Sequence, residues 1–373
     1  MRFLLSKPLQ PEDEKRRLEE FFEATKAGPE KTLITQSKHR KADMLYDPEV
    51  LIQAIKNISD QLEIDMFVDD ILSYGVTLAL YACQKPFITF CPPHPHTIPD
   101  PNGIFGVPKA WPSPIKVSPQ QISNIVETLA ETQKLFTEEF NQVIKKHRKT
   151  NEEIDNAFRL ISETAVVYNY LDFDKKLQVN AKRPKHLFIG HSFQANKLSK
   201  DWLETMNQSK KKILISLGTF LSVREDVLKK LIVACKKAYP EAILYVAGGK
   251  HSYKLRQYLS KEDVIEEFIP QIELLPYMDL VIHHGGNNTF TEALYYELPM
   301  IILPFSSDQF NIAYDAQQHG IAEVVDPNAF ESVDVIKALI KLEENSKEQL
   351  MKWSHLSRER GVDYAVRQIL EIE

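Results

Sequence analysis

Cysteine is scarce in this chain. Its 373 residues hold three, Cys83, Cys91 and Cys235, at spacings that make neither a paired zinc set nor a redox couple. A sparse, odd set reads as reduced thiols and predicts a cytoplasmic protein. Long apolar runs are missing too. None reaches the roughly 18 residues that a membrane-crossing helix needs, so no transmembrane segment is expected. The opening stretch Met1-Arg2-Phe3-Leu4-Leu5-Ser6 is broken by Lys7 and Pro8, too soon for the apolar core of a secretory leader. Positive charge is not in excess: 46 Lys and Arg stand against 52 Asp and Glu, a net charge of −6, with a pI near 6.0. A phosphate-coating surface usually needs the opposite balance, so no nucleic acid is expected as a partner. Short-period internal repeats are also absent.

What is present is the balance of a globular enzyme, 43% hydrophobic and 26% charged residues. The length suits two α/β domains of similar size. Short apolar runs alternate with amphipathic stretches, the pattern of parallel sheets covered by helices. In the first half, strands are predicted at 2–5, 66–68, 87–90, 165–168 and 186–189. A helix is predicted over 48–62, where Val50, Leu51, Ile55 and Ile58 recur at helical spacing. The proline-rich stretch from Cys91 to Ser118 reads as a long loop of the kind that lines ligand sites. A helix over 120–145 ends in Lys145-Lys146-His147-Arg148-Lys149. That run is read as a solvated helix end whose cations suit the helix dipole, in preference to a surface for phosphate or anionic lipid.

Residues 191–210 read as a linker, after which the pattern restarts with strands at 213–217, 243–247, 264–268, 280–283 and 300–303. The predicted organisation is an N-terminal Rossmann-like domain over 1–190, a nucleotide-binding Rossmann-like domain over 211–355, and a C-terminal helix in 356–373 that packs back on the first domain. Open parallel sheets bind ligands at strand carboxyl ends.

The densest chemistry lies in Leu280-Val-Ile-His-His-Gly-Gly-Asn-Asn-Thr-Phe-Thr-Glu-Ala-Leu294. An apolar strand enters a turn at Gly285-Gly286, and a helix is predicted from Asn288. The first amides of such a helix lack internal partners and, with the helix dipole, make an anion site. Paired glycines let a phosphate approach the backbone. His284 is placed to donate to that phosphate, and Glu292, one turn into the helix, suits a ribose diol. An ordinary strand–helix turn would explain this stretch alone. It does not explain the two polar loops beside it, Phe268-Ile269-Pro270-Gln271 and Pro304-Phe305-Ser306-Ser307-Asp308-Gln309, each at a strand end. Gly248-Gly249 lacks the rest of a dinucleotide fingerprint and reads as a plain turn.

With these residues in hand, the chain resembles the UDP-glycosyltransferases of the macrolide and antibiotic type, from about residue 40 onward and most strongly over 213–326. The resemblance implies the GT-B fold of two Rossmann-like domains. It implies that Ser216 and Thr219 of Ser216-Leu217-Gly218-Thr219 lie near the diphosphate. Pro270 and Gln271 would border base and ribose. His284, Gly286, Asn287, Asn288 and Thr289 would hold the diphosphate, Glu292 the ribose, and Asp308 with Gln309 the hydroxyls of the transferred sugar. Phe268 stands two residues before Pro270, where plant relatives carry a Trp next to their Pro-Gln. The implied activity is inverting transfer of a hexose from a UDP-sugar to a small hydroxylated acceptor, by direct displacement at the anomeric carbon. No cofactor and no metal are expected, His284 and the helix terminus supplying positive potential.

The first half resembles the family more weakly. Asp69, with Asp70 as the second candidate, maps to a carboxylate that orients the family's catalytic histidine; equally, this pair reads as a strand-end carboxylate capping the next helix. The family's Gly-His-x-x-Pro loop has no counterpart, and His39 reads as a solvated residue. About one βα segment is expected to be absent from the front, leaving the N-terminal domain incomplete. His94-Pro95-His96, without acidic or thiol neighbours, is a poor zinc pair and by resemblance faces an acceptor. Two rival readings remain: a catalytically inactive nucleotide-sugar-binding or partner protein, and an epimerase or hydrolase on the same double fold.

Overall fold

The structure, a computed structural model, describes residues 11–42, 47–149, 151–173, 184–194, 196–206, 209–345 and 347–371. The chain divides into two compact units. One comprises Met1–Lys109, Val117–Ile189 and Asp363–Glu373; the other comprises Ala110–Lys116 and Gly190–Val362.

Among the described residues, the first unit has four strands, β1 (Phe67–Asp70), β2 (Phe87–Cys91), β3 (Ala165–Tyr168) and β4 (Lys185–Phe188). They lie side by side in that order, every pair parallel. Parallel neighbours need crossover connections, and the helices Tyr74–Ala82 and Pro119–Arg148 lie within those connections. β3 is buried along its whole length, which is why Ala165-Val-Val-Tyr168 reads as an unbroken apolar run. The predicted strand 2–5 lies outside the described residues.

Two helices that apolar spacing does not announce, Pro11–Ala27 and Pro29–Ala42, precede the predicted one, which spans Pro48–Gln61. Buried hydroxyls fasten the second of them to the long helix, Ser37 against Thr132 at 2.7 Å. His39 is not a freely solvated side chain; its Nε2 lies 2.8 Å from Glu20 Oε2. The long helix begins in a capping box at Ser118 and Gln121. Its basic end is a helix C-terminus whose Lys146 and His147 both engage Glu49. The helix Val362–Leu370 belongs almost wholly to this unit and sets Ala365, Tyr364 and Ile369 against Ile88, Ala165, Val167, Leu187 and Ile189. Between the units in sequence, residues 191–210 are more than a linker: they hold a helix, Lys200–Glu204, and a buried Leu198.

Among the described residues, the second unit has six parallel strands, β5 (Lys212–Ser216), β6 (Ile243–Ala247), β7 (Val264–Glu266), β8 (Leu280–His283), β9 (Met300–Ile302) and β10 (Ala322–Val324). They run β10-β9-β8-β5-β6-β7 across the sheet. Counted from β5, this is the doubly wound 3-2-1-4-5-6 order, read from the opposite edge, and it reverses between β5 and β8. β7 stops two residues short of the predicted end at Phe268, because that ring stands in solvent and Pro270 beyond it has no amide to donate. Ile213, Leu214 and Ile215 of β5 are fully buried with Val281 and Ile282 of β8, so the reversal point is also the rigid centre of the sheet.

Candidate nucleotide-binding site

At that reversal Ser216, the last residue of β5, pairs in register with His283, the last residue of β8. Both strands then turn sharply. Gly218 (φ 74°) opens the short helix Gly218–Leu221, and Gly285 (φ 87°) sits in the turn after β8. These are left-handed conformations that side chains resist. The turn after β8 is held by its own strand: the Gly285 amide donates to Nδ1 of buried His283 at 3.1 Å. A polar residue closing an apolar strand was the sequence signal for His283, which the motif reading passes over.

The helix begins at Asn287, one residue before the expected Asn288, and runs to Tyr295. Gly286 occupies the N-cap in extended backbone, and no side chain caps it. In a helix so started, the first amides face outward at the positive end of the dipole. His284 is half-buried and lies against two glycines. A Cβ on Gly218 would come within 2.7 Å of its Cε1, and one on Gly286 would overlap its Nε2. Its Nδ1 is closed off from solvent. Burial pushes the His284 imidazole down to about 4, the Ser216 backbone pulling weakly the other way. Burial, with His284 beside it, pushes His283 down to about 3. Both rings are therefore neutral at neutral pH. The His284 ring thus presents an N–H dipole and not a full charge, beside the positive end of the helix.

Three more of the expected residues meet in one cluster. The Gln271 amide, at the start of the short helix Gln271–Leu274 behind Pro270, donates to Thr289 Oγ1 at 3.0 Å and to Glu292 Oε2 at 2.8 Å. Thr289 and Glu292 are three apart and share a helix face. Burial raises the Glu292 carboxyl, Gln271 opposes the rise, and Glu273 adds to it. A carboxylate so placed is short of donors, which a diol would supply.

The third loop is organised from within. Gln309, buried, accepts the amides of Phe305 (2.9 Å) and Ser306 (3.2 Å) on its side-chain carbonyl. Only its NH2 group remains suited to a ligand. Asp308 takes the N-cap position of the helix Gln309–Gln318 without a capping bond, and Ser307 lies at φ 51°. Asn288 and Thr219 are exposed, as are the rings of Phe220 after β5 and Phe268 after β7.

In the first unit, Asp69 is buried at the end of β1 and accepts a hydrogen bond from Thr77, in the helix Tyr74–Ala82. Asp70 accepts from the Leu72 amide at 2.9 Å. The capping reading of this pair does not hold: Ser73 takes the N-cap of the next helix with no side-chain bond, and Asp70 instead braces the turn before it. His94 is buried, accepts the His96 amide on Nδ1 and packs on Tyr170. Gly249 after β6 is pressed against Ser222, a tight turn without further site residues. Among the described residues, no group of three or more His, Cys, Asp or Glu is placed to hold a metal ion. No described helix is long and apolar enough to cross a membrane.

Gly286 has an unstrained backbone (φ −65°), so Gly286→Ala tests space alone. The added methyl must displace His284, and UDP affinity is expected to fall roughly tenfold, the scale of one lost hydrogen bond to a charged group, with little change in thermal unfolding. Isothermal titration on the variant checks this; unchanged affinity would show that the imidazole does not meet the ligand.

Residues 111–373 match the family described as UDP-glucoronosyl and UDP-glucosyl transferase. A curated relative, the uncharacterized UDP-glucosyltransferase YojK of Bacillus subtilis, is 25% identical over 143 residues, 38% of this chain and 35% of that protein. Human UDP-glucuronosyltransferase 2A2 is 29% identical over 198 residues, 51% of this chain and 36% of that protein. The chain thus spans about a third of the length of the curated relatives it matches. Among solved structures, the glycotransferase of kitacinnamycin superposes with a TM-score of 0.65 at 17% identity, over 91% of this chain and 82% of that one. The spinosyn rhamnosyltransferase SpnG, complexed with thymidine diphosphate, gives 0.61 at 12% identity, over 97% and 82%. These likenesses show the fold, two Rossmann-like domains of the GT-B type.

Proposed function

Because the chain belongs to the family of UDP-glucuronosyl and UDP-glucosyl transferases, we propose that it binds a UDP-sugar in the second unit and transfers the sugar, with inversion, to a small hydroxylated acceptor. The observation that carries the reading is the convergence of Gln271, Thr289 and Glu292 beside a helix N-terminus and an imidazole wedged between two glycines. A base removes the acceptor proton as the hydroxyl oxygen bonds to the anomeric carbon. The carbon–oxygen bond to the diphosphate breaks, and UDP leaves with the electron pair. Helix amides and the His284 N–H stabilise that developing charge as fixed dipoles. Glu292 accepts the ribose hydroxyls, while Asp308 and the Gln309 amide meet the hydroxyls of the sugar. Asp69 is the residue proposed to serve the acceptor side.

A second reading, a nucleotide-sugar-binding protein without turnover, is favoured by one observation: the Asp69 carboxyl is bonded to Thr77 rather than to a histidine. A transfer assay with UDP-glucose and a panel of phenols and macrolides separates the two. Multiple turnover supports the first reading, and UDP binding without turnover supports the second.

The division of labour within the donor site has its own test. Asp308→Ala is expected to weaken UDP-glucose roughly tenfold and UDP less than twofold, because a charged hydrogen bond is lost only from the sugar. Equal weakening of both ligands in calorimetry would remove Asp308 from the sugar end.

A further inference from the structure

The loop after β2 gives seven residues, Ala110–Lys116, to the second unit. They form a strap along the helix Gln309–Gln318. The Trp111 ring lies on Phe310, centroids 4.9 Å apart and tilted by 52°. The Ser113 amide donates to Gln317 Oε1 at 2.8 Å, a bond between residues 204 apart in sequence. Phe310 and Gln317 are separated by two helical turns, so they share a face, and the strap grips the helix at both ends. It is stiffened by a turn from the Ile115 amide to the Pro112 carbonyl (3.0 Å) and by Lys116 reaching the Ser113 carbonyl (2.6 Å). Pro112 and Ile115 are buried.

The helix so gripped is short, and its first turn carries the sugar-end residues. Asp308 stands at its N-cap and Gln309 opens it. Gln309 holds the preceding loop from inside through Phe305 and Ser306. Phe310, the next residue, is fully buried, and Trp111 covers it. The position of Asp308 and Gln309 is therefore fixed on one side by their own loop and on the other by the strap.

We propose that Trp111 is a positioning residue that sets specificity at the sugar end of the donor site: through Phe310 it holds the first turn of Gln309–Gln318 where Asp308 and Gln309 meet the transferred sugar. It does not touch the nucleotide. The proposal rests on the donor-site reading above and deepens it, since it makes sugar recognition separable from UDP recognition by a residue outside both.

The test uses the full chain carrying Trp111→Ala and Trp111→Phe, titrated with UDP and with UDP-glucose. In Trp111→Ala the Kd for UDP-glucose is expected to rise roughly five- to tenfold, the scale of one hydrogen bond lost to misplacement, while that for UDP stays within twofold. Trp111→Phe keeps a ring on Phe310 and is expected to restore both. In the ligand-free Trp111→Ala protein, hydrogen-exchange protection of the amides of Ile312 and Ala313 is expected to fall. Equal weakening of both ligands, or an unchanged ratio of the two affinities, overturns the assignment. Unchanged protection overturns the positioning role whatever the nucleotide result. A wild type that binds no UDP overturns instead the donor-site reading, and the exchange measurement still decides whether Trp111 holds the helix.

Discussion

His284→Ala is expected to weaken UDP binding by about 1.5–3 kcal/mol, the range for a hydrogen bond to a charged group, which is roughly 10- to 150-fold in Kd. Two features set the effect at the upper end of what one side chain delivers. The ring is pinned between Gly218 and Gly286, so little entropy is lost when it meets a phosphate. The side of the ring that carries Nδ1 is closed off from solvent, which lowers the effective dielectric around the bond. The pH behaviour follows from burial. A ring held down to about 4 is already neutral at pH 7 and keeps its N–H donor as the pH rises. Wild-type affinity is therefore expected to vary little between about pH 7 and 9, where the terminal phosphate of UDP is ionised. Calorimetry at both ends of that window checks the claim. A steep fall across it would mean that a charged imidazole, and not a neutral donor, holds the diphosphate.

The strand–turn–helix of the candidate site was legible in the sequence because its signals are local. His284, Gly286, Asn287 and Glu292 sit within nine residues, and the strand–turn–helix that carries them announces itself through an apolar run, two glycines and a run of helix starters. What spacing could not show is what lies across space. The bond from Gln271 to Thr289 and Glu292 joins two loops. The pinning of His284 depends on Gly218, some 66 residues away, and the Trp111 strap on a contact about 200 residues long. The charge state of His284 was also out of reach, since burial is a tertiary property. The first unit was less legible. The helices Pro11–Ala27 and Pro29–Ala42 are weakly patterned, and the second has polar residues, Thr32 and Ser37, at buried positions where they bond to Gly28 and Thr132. A pattern that counts apolar residues misses a face packed through hydroxyls.

Asp69→Asn is expected to stabilise the first unit at pH 8 by up to roughly 4 kcal/mol, while changing it little near pH 4. The Asp69 carboxyl is buried, has one neutral hydroxyl donor in Thr77, and lies close to Asp70. Burial, first, and Asp70, second, push it up to about 7 against the pull of Thr77. In the unfolded chain it ionises near its ordinary value of 3.8. Between those two points the folded protein holds a proton that the unfolded one has released, so stability falls as pH rises from about 4 to 7 and is level above. Asparagine cannot ionise, and its amide oxygen still accepts from Thr77, so the variant lacks that slope. Urea unfolding of both proteins at pH 5 and pH 8, followed by hydrogen exchange of β2 and β3 amides, reads the difference. A destabilised variant at pH 8 would mean that the carboxylate has donors beyond Thr77 and serves the fold. A stabilised variant leaves a residue that works against its own domain at neutral pH, the pattern expected where a group is kept for chemistry. The transfer assay then completes the argument. Stabilisation together with lost turnover assigns Asp69 to the acceptor side of the reaction. Stabilisation with turnover intact removes it from the mechanism and moves the search for the base elsewhere.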